Sequence, residues 1–114
     1  MIYLIIFSHW IADFIAQSDW MAKNKSKSWK ALSFHILAYT GSLATLLSLV
    51  HPETAWKYAL INGAAHFVVD AITSRITAKL YAKGDVHNFF VVIGLDQAIH
   101  MSTLVATVPV LLGA

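Results

Sequence analysis

Residues 89–112 read FFVVIGLDQAIHMSTLVATVPVLL, an apolar run that has Asp96 and His100 inside it. A helix needs roughly 20 largely apolar residues to cross a bilayer, with about 17 tolerated, and this run is long enough. Three further apolar runs have a similar length: 2–18, 31–50 and 56–72. The sequence therefore predicts an all-α, polytopic membrane protein, a bundle of four transmembrane helices that forms one domain over residues 1–114.

The composition favours the same class of protein. Of the 114 residues, 58% are hydrophobic and only 12% are charged, whereas roughly 25% are charged in soluble domains. A soluble core of this size could not hide so much apolar surface. The chain has no cysteine, which excludes disulfides and thiolate metal sites. Any bound metal must therefore be held by imidazole and carboxylate groups.

Positive charge alternates along the connections between the four runs. The first and third connections hold nearly all of it, at Lys23, Lys25, Lys27, Lys30, Arg75, Lys79 and Lys83. The positive-inside rule then predicts a multi-pass protein with these two connections in the cytoplasm and both termini outside it. We interpret the lysines as an orientation signal that contacts lipid headgroups, not as a nucleic-acid site. The third helix can continue past residue 72 as far as residue 83.

Each run also carries polar residues at three- and four-residue spacings, which places them on one face of a helix. In chain order these residues are His9, Asp13 and Gln17; His35, Tyr39 and Ser42; Asn62, His66, Asp70 and Thr73; and Asp96, His100, Thr103 and Thr107. One polar stripe per helix is the pattern expected when several helices surround a common polar site.

The order of the polar residues predicts their depth. The first and third runs read His-x-x-x-Asp, and the fourth, which runs in the opposite direction, reads Asp-x-x-x-His. Three Asp then share a layer near the cytoplasmic side, and three His share a layer one helical turn deeper, about 6 Å. The Asp are Asp13, Asp70 and Asp96, and the His are His9, His66 and His100. His35, near the start of its helix, falls close to the Asp layer.

Energetics favour a metal in this cluster. One Asp at the centre of a membrane helix costs about 2.5–3.5 kcal/mol, and a bound divalent metal would offset that cost. The predicted ligands are His9, Asp13, His35, His66, Asp70, Asp96 and His100. This ligand set suits one or two ions of zinc, manganese, iron or nickel. A purely structural network of hydrogen bonds is the alternative interpretation.

Three sequence blocks carry a family resemblance: HWIADFIAQSDWMAKNK at 9–25, HFVVDAITSR at 66–75 and HNFFVVIGLDQAIH at 87–100. They resemble a family of small bacterial and phage membrane proteins known as domain of unknown function 3307. The pattern is also similar, more loosely, to LexA-regulated inner-membrane proteins described as metal-dependent hydrolases. The first resemblance implies a bacterial inner (cytoplasmic) membrane or a phage origin, and the second implies metal-dependent hydrolysis.

These observations lead to a functional hypothesis with two alternatives. The leading one is a metal-dependent hydrolase that acts on a phospholipid or another phosphorylated amphiphile at the cytoplasmic leaflet. Its catalytic residues would be Asp13, Asp70 and Asp96, and its substrate-binding residues Gln17, Tyr39, Arg75 and Gln97. The alternatives are a metal-ion or proton transporter, and a small membrane effector with a structural metal that binds a host protein. The bilayer is the expected partner, and a homodimer is our preferred assembly.

The alternating charges predict how the chain lies in the membrane. Cysteines introduced at Ser26 and Gly84 should be shielded from an impermeant thiol reagent added outside intact cells, while one at Thr54 should be labelled. The measurement is labelling of each single-cysteine variant before and after cell lysis. External labelling at Ser26 would contradict the predicted orientation of the four helices in the membrane.

Overall fold

The computed structural model describes residues 1–113 as an all-helical chain, which confirms the predicted all-α class. The elements in chain order are α1 (Ile2–Trp10), a π-helical turn (Ile11–Ile15), α2 (Asp19–Asn24), α3 (Trp29–Ser48), α4 (Ala55–Ala82), α5 (Val86–Ala106) and α6 (Val108–Leu111). Ala114, the last residue of the predicted domain, lies outside the described residues.

Two serines begin the helices of the first connection. Ser18 Oγ accepts a hydrogen bond from the backbone N–H of Met21 at 3.2 Å, and Ser28 Oγ accepts one from Ala31 at 3.3 Å. Each bond satisfies a backbone donor that the first helical turn leaves free. As a result, the connection expected at 19–30 contains the short helix α2, and the next helix begins earlier than the sequence predicted.

The turn between α4 and α5 is set by a glycine and a capping carboxylate. Gly84 has a φ of 78°, a left-handed conformation that glycine adopts without steric cost. The carboxylate of Asp85 accepts hydrogen bonds from the side chain and the backbone N–H of Asn88, at 2.8 and 3.2 Å. These bonds hold the pKa of Asp85 below its ordinary value. Because a cysteine at Gly84 would be strained, Lys83 is the better labelling position in this connection.

Only two helices, α3 and α5, combine the length and the composition needed to cross a membrane within the described residues 1–113. The first helical segment, Ile2–Ile15, is apolar but shorter than a usual span. Helix α4 is long, but it carries too many polar and charged residues to pass the same test. Length and composition therefore support two of the four predicted spans.

Helix α4 is the central element of the bundle. It packs against both α3 and α5, while α1 and the π-helical turn pack against α3. The core has two halves. At the end that holds the start of α1 and helix α6 it is apolar and includes Ile5, Leu43, Leu47, Leu104 and Leu111, all fully buried. At the other end the buried side chains include the His and Asp residues, together with Thr73 and Ser74.

Helices α3 and α4 approach each other closely at Gly63. A Cβ atom at this position would stand 3.2 Å from Thr40 Cβ and closer still to Thr40 Oγ1, so only glycine fits without movement. By contrast, a Cβ at Gly94 on α5 would meet no atom within 4 Å. The contact at Gly63 fixes how near α3 comes to α4, and those two helices carry His35 and His66.

This contact predicts a difference between two glycine substitutions. Gly63→Ala should destabilise the bundle by about 1–3 kcal/mol through overpacking, whereas Gly94→Ala should be neutral or slightly stabilising. Adding Thr40→Ala should restore most of the loss at Gly63. Thermal unfolding in detergent measures all three variants, and equal melting temperatures for the two glycine variants would contradict the close contact.

Candidate metal centre

Three helical segments bring one donor each to a common point. Asp13 lies on the π-helical turn, His35 on α3 and His66 on α4. In the turn, the Ala16 N–H donates to the Ile11 carbonyl, five residues earlier, at 2.8 Å. Wide turns of this kind are frequent at functional sites, because they re-aim a side chain inside an otherwise regular helix.

The three donor atoms form a small triangle. Asp13 Oδ1 lies 3.2 Å from His35 Nε2 and 3.3 Å from His66 Nε2, and the two Nε2 atoms are 3.1 Å apart. Donor atoms this close together could all be ligands of one ion at the usual ligand distances of about 2.0–2.2 Å. The three residues are buried and could hold a metal ion.

The two imidazoles of this triangle are close enough to share either a proton or a cation. If both Nε2 atoms carried protons, two N–H groups would face each other at 3.1 Å; if neither did, two lone pairs would. A shared proton or a cation resolves this conflict. The cation also explains why the Asp13 carboxylate oxygen meets both nitrogens, since two neutral imidazoles and one carboxylate are ordinary zinc or iron ligands.

A second possible metal group shares one residue with the first. His66, Asp70 and His100 also place donor atoms within 4.8 Å of one another, and all three are buried. Asp70 Oδ2 is 3.4 Å from His35 Nε2, so the two groups are adjacent. Lys25 Nζ lies 3.1 Å from the same Asp70 oxygen and compensates its charge.

Stacked rings hold His66 in place. Its imidazole lies between Tyr39, with ring centroids 4.1 Å apart, and His100, with centroids 3.8 Å apart, and both pairs are nearly parallel. Stacking restricts rotation of the His66 ring about its side-chain bonds. The orientation of Nε2 toward Asp13 is therefore fixed by packing.

Gln97 connects the remaining polar residues. Its amide Nε2 donates to Asp13 Oδ2 at 3.3 Å and to Asp96 Oδ2 at 3.1 Å, so its Oε1 must accept, and it does so from His9 Nε2 at 3.0 Å. His9 Nδ1 then accepts from the Tyr39 hydroxyl at 3.3 Å. Each donor in this series of hydrogen bonds meets one acceptor. The network orients Asp13 from behind, as partners of metal ligands usually do.

This network changes the roles of two expected ligands. His9 uses both ring nitrogens in hydrogen bonds and belongs to neither metal group. Asp96 also lies outside both groups: its Oδ1 accepts from Thr73 Oγ1 at 2.5 Å, and its Oδ2 is 3.1 Å from His100 Nε2. His9 and Asp96 lie beside the two groups that could hold a metal ion.

A cavity of about 890 Å³ opens from the donor atoms toward the lysine-rich end of the bundle. Asp13, Asp70 and Asp96 are the acidic part of its wall. Its basic part comprises Lys23, Lys25, Lys27, Arg75 and Lys79. We call these two groups the acidic floor and the basic collar.

The expected substrate-binding residues fall in different places. Gln17, Gln97 and Arg75 line the cavity, whereas Tyr39 is fully buried behind His66 and does not reach it. The guanidinium carbon of Arg75 lies 4.1 Å from the ring centroid of Trp29, and Arg75 Nη1 donates to a backbone carbonyl at 2.8 Å. Arg75 is thus anchored at the cavity wall with N–H groups to spare.

Lys25 is the site residue that sequence reasoning missed. Its neighbours Lys23 and Lys27 look equivalent in the sequence, but only Lys25 reaches the buried Asp70. No spacing rule distinguishes it, because the contact depends on how the connection after α2 folds over the end of the bundle.

The triangle predicts which substitutions remove metal. His35→Ala and His66→Ala should each lower the bound metal from about one ion per chain to near zero, and should lower the melting temperature, because bound metal stabilises the fold. His9→Ala should retain most of the metal, since His9 belongs to neither metal group. His87→Ala, an exposed position on α5, is the matched control. Elemental analysis of the purified proteins checks this, and full occupancy in His35→Ala would reject the site.

Comparison with known proteins identifies one family and nothing more specific. No curated protein and no solved structure matches the chain. One family model, described as a protein of unknown function (DUF3307), matches residues 1–113, nearly the entire chain. The chain therefore belongs to the DUF3307 family.

Proposed function

We propose that this protein is a four-span membrane protein and a metal-dependent hydrolase, which acts on a phosphorylated amphiphile from the cytoplasmic side. The observation that carries the proposal is the Asp13, His35 and His66 triangle, whose Asp13 lines the floor of an open cavity with a basic collar. Three protein ligands with open positions are typical of catalytic metal sites, whereas structural sites are closed by four.

The distribution of polarity supports immersion in a bilayer. Helix α5 buries Asp96 and His100 but exposes Leu95, which is 56% accessible, and α4 buries His66 and Asp70 but exposes Val68, which is 58% accessible. A water-soluble helix has the opposite arrangement. Large apolar side chains on the outside favour a lipid environment. The low average hydropathy of α4 comes from its buried polar residues, which would not face the lipid.

Helix lengths fit this placement. With a rise of about 1.5 Å per residue, α4 is about 42 Å long and exceeds the hydrocarbon thickness, so its last turns carry Arg75 and Lys79 into the headgroup region. The segment Ile2–Ile15 covers only about 20 Å of depth. The segment ends at the cavity, whose wall includes Phe14 and residues of the first turns of α5.

The chain supplies the groups that metal-assisted hydrolysis requires. A bound divalent ion would polarise a phosphoryl oxygen and lower the pKa of an attacking water. Asp70 lines the cavity beside His35 and is the best-placed proton acceptor outside the triangle. Lys25 Nζ contacts Asp70 Oδ2 at 3.1 Å and holds that carboxylate in position. Gln97 and Asp96 hold Asp13 in position.

A transporter is less well supported, because the site has one open side. Beyond His66 the core is closed by apolar side chains such as Leu43 and Leu104, both fully buried. Tyr58 donates to the Leu104 carbonyl at 2.7 Å, and Asn62 Nδ2 donates to Thr107 Oγ1 at 2.9 Å, so these two donors are bonded locally. Within the described chain, no acidic or basic side chain is buried in this half of the core.

Hydrolysis is tested in liposomes made from bacterial lipid extract. The metal-loaded protein should release soluble phosphate or a phosphorylated headgroup, and a chelator should abolish the release. Asp70→Asn should keep its metal but lose at least about 100-fold in rate, as expected when a proton acceptor is removed.

The control is His87→Ala, which should keep both metal and rate. Sealed proteoliposomes provide the opposing measurement on the same preparation. Ion movement across the membrane with all lipids intact would favour the transporter. Purified protein that contains iron and turns over only with oxygen would instead indicate an oxygenase, since iron enzymes of that class use the same donor set.

A further inference from the structure

The collar and the floor of the cavity carry opposite charges. The collar contributes five cations, and every acidic residue of the cavity wall belongs to the floor. Among the described residues, Lys25 is the only lysine that forms a salt bridge. Lys23, Lys27 and Lys79 thus surround the mouth without an acidic partner, and they favour anions that approach the floor.

Lys25 links the collar to the metal ligands. Its Nζ is 3.1 Å from Asp70 Oδ2, and that oxygen is 3.4 Å from the Nε2 of His35. A small anion at the floor would therefore lie next to both the ammonium group and the open positions of a bound ion. The combination of a lysine and a divalent ion is a recurrent arrangement around a transferred phosphoryl group.

Two polar atoms at the cavity wall have no partner within residues 1–113. Ser74 Oγ and Gln17 Oε1 are both buried and make no hydrogen bond to protein. Ser74 is only 6% accessible and lies one residue before Arg75 on the wall. Buried polar groups normally find a partner, so an unbonded hydroxyl here indicates a polar ligand or water in the cavity.

One side of the cavity is apolar. Phe14, Phe89 and Ile93 contribute to the wall between the end of the first helical segment and α5. Phe14 is also half exposed on the outer surface of the bundle. Apolar side chains that extend from the lipid-facing surface to the cavity provide a path for an acyl chain, while the phosphate faces the floor.

We infer that the cavity binds membrane lipids whose headgroup is a terminal phosphate, and that it selects them over zwitterionic lipids. This inference rests on the proposed function and names its substrate class. The collar disfavours a headgroup with its own ammonium group, because that cation would enter among three unpaired lysines. The floor is recessed, because Asp13 and Asp70 are at most 4% accessible. A terminal phosphate carries one organic substituent and can reach this floor, whereas a phosphodiester headgroup carries a second substituent that would also have to fit.

The corresponding reaction is hydrolysis of a phosphomonoester. Water adds to phosphorus, the bond between phosphorus and the lipid oxygen breaks, and that oxygen takes up a proton. The products are a lipid alcohol and inorganic phosphate. Asp70 receives one proton from the attacking water and returns one to the lipid oxygen, so the step balances without an oxidant or second substrate.

The test measures binding separately from turnover. Metal-loaded protein in maltoside micelles is mixed with equal amounts of three lipids: phosphatidylglycerol, phosphatidylcholine and the phosphonate analogue of phosphatidic acid, which cannot be hydrolysed. Native mass spectrometry then counts the bound lipid. The phosphonate should be retained at least about 10-fold over phosphatidylcholine, a difference of about 1.4 kcal/mol.

Two double variants separate the cavity from general surface charge. Lys23→Gln with Lys79→Gln removes two collar charges and should reduce the preference several-fold, with metal content unchanged. Lys30→Gln with Lys83→Gln removes two charges from the same end of the bundle outside the cavity, and should leave the preference intact. Equal losses in the two variants would overturn the inference.

Two further outcomes separate this inference from the proposed function. Selective retention without hydrolysis of phosphatidic acid would support the binding site and count against the hydrolase. Hydrolysis of bacterial lipids without selective retention would support the hydrolase and count against selective binding of a terminal phosphate. Full displacement of the phosphonate lipid by an equimolar amount of inorganic phosphate would overturn lipid recognition and assign the site to free phosphate.

Discussion

The buried carboxylate of Asp13 is the constraint on which the rest of the structure depends. One of its oxygens meets the Nε2 atoms of His35 and His66 at 3.2 and 3.3 Å, and the other accepts a hydrogen bond from Gln97. A charge at this depth is costly unless it is compensated. Helix packing provides the compensation: the π-helical turn aims Asp13 inward, and the contact at Gly63 brings α3 to α4.

The need to compensate the buried charge of Asp13 also explains why the core has a polar half and an apolar half. Polar side chains are concentrated where the π-helical turn, α3, α4 and α5 converge. There Gln97 donates hydrogen bonds to Asp13 and Asp96, and Tyr39 donates one to His9. The other half is packed with leucine and closed by local hydrogen bonds of Tyr58. The division yields a site that is open on one side, a geometry suited to chemistry on a membrane-bound substrate.

Charge is separated along the axis of the cavity. The acidic floor suits a cation, and the basic collar suits an anion, so the two together favour a phosphate that contacts both. Lys25 connects the two regions, because it is part of the collar and pairs with Asp70 of the floor. The inverted polarity of α4 and α5, with His and Asp inside and aliphatic residues outside, is consistent with the surrounding lipid that such a substrate requires.

The sequence by itself determined the helical class, the face of each helix that is polar, and the DUF3307 membership, because periodicity and signature blocks are properties of the chain alone. The reversed Asp-x-x-x-His motif also predicted that residues from antiparallel helices would share one depth. Spacing cannot say which atom of a side chain points where. Only tertiary packing decided that His9 is saturated by Tyr39 and Gln97, that His35 joins Asp13, and that Lys25 alone among similar lysines reaches Asp70. Those contacts depend on ring stacking, a widened helical turn and a folded connection, which bring together groups far apart in the chain.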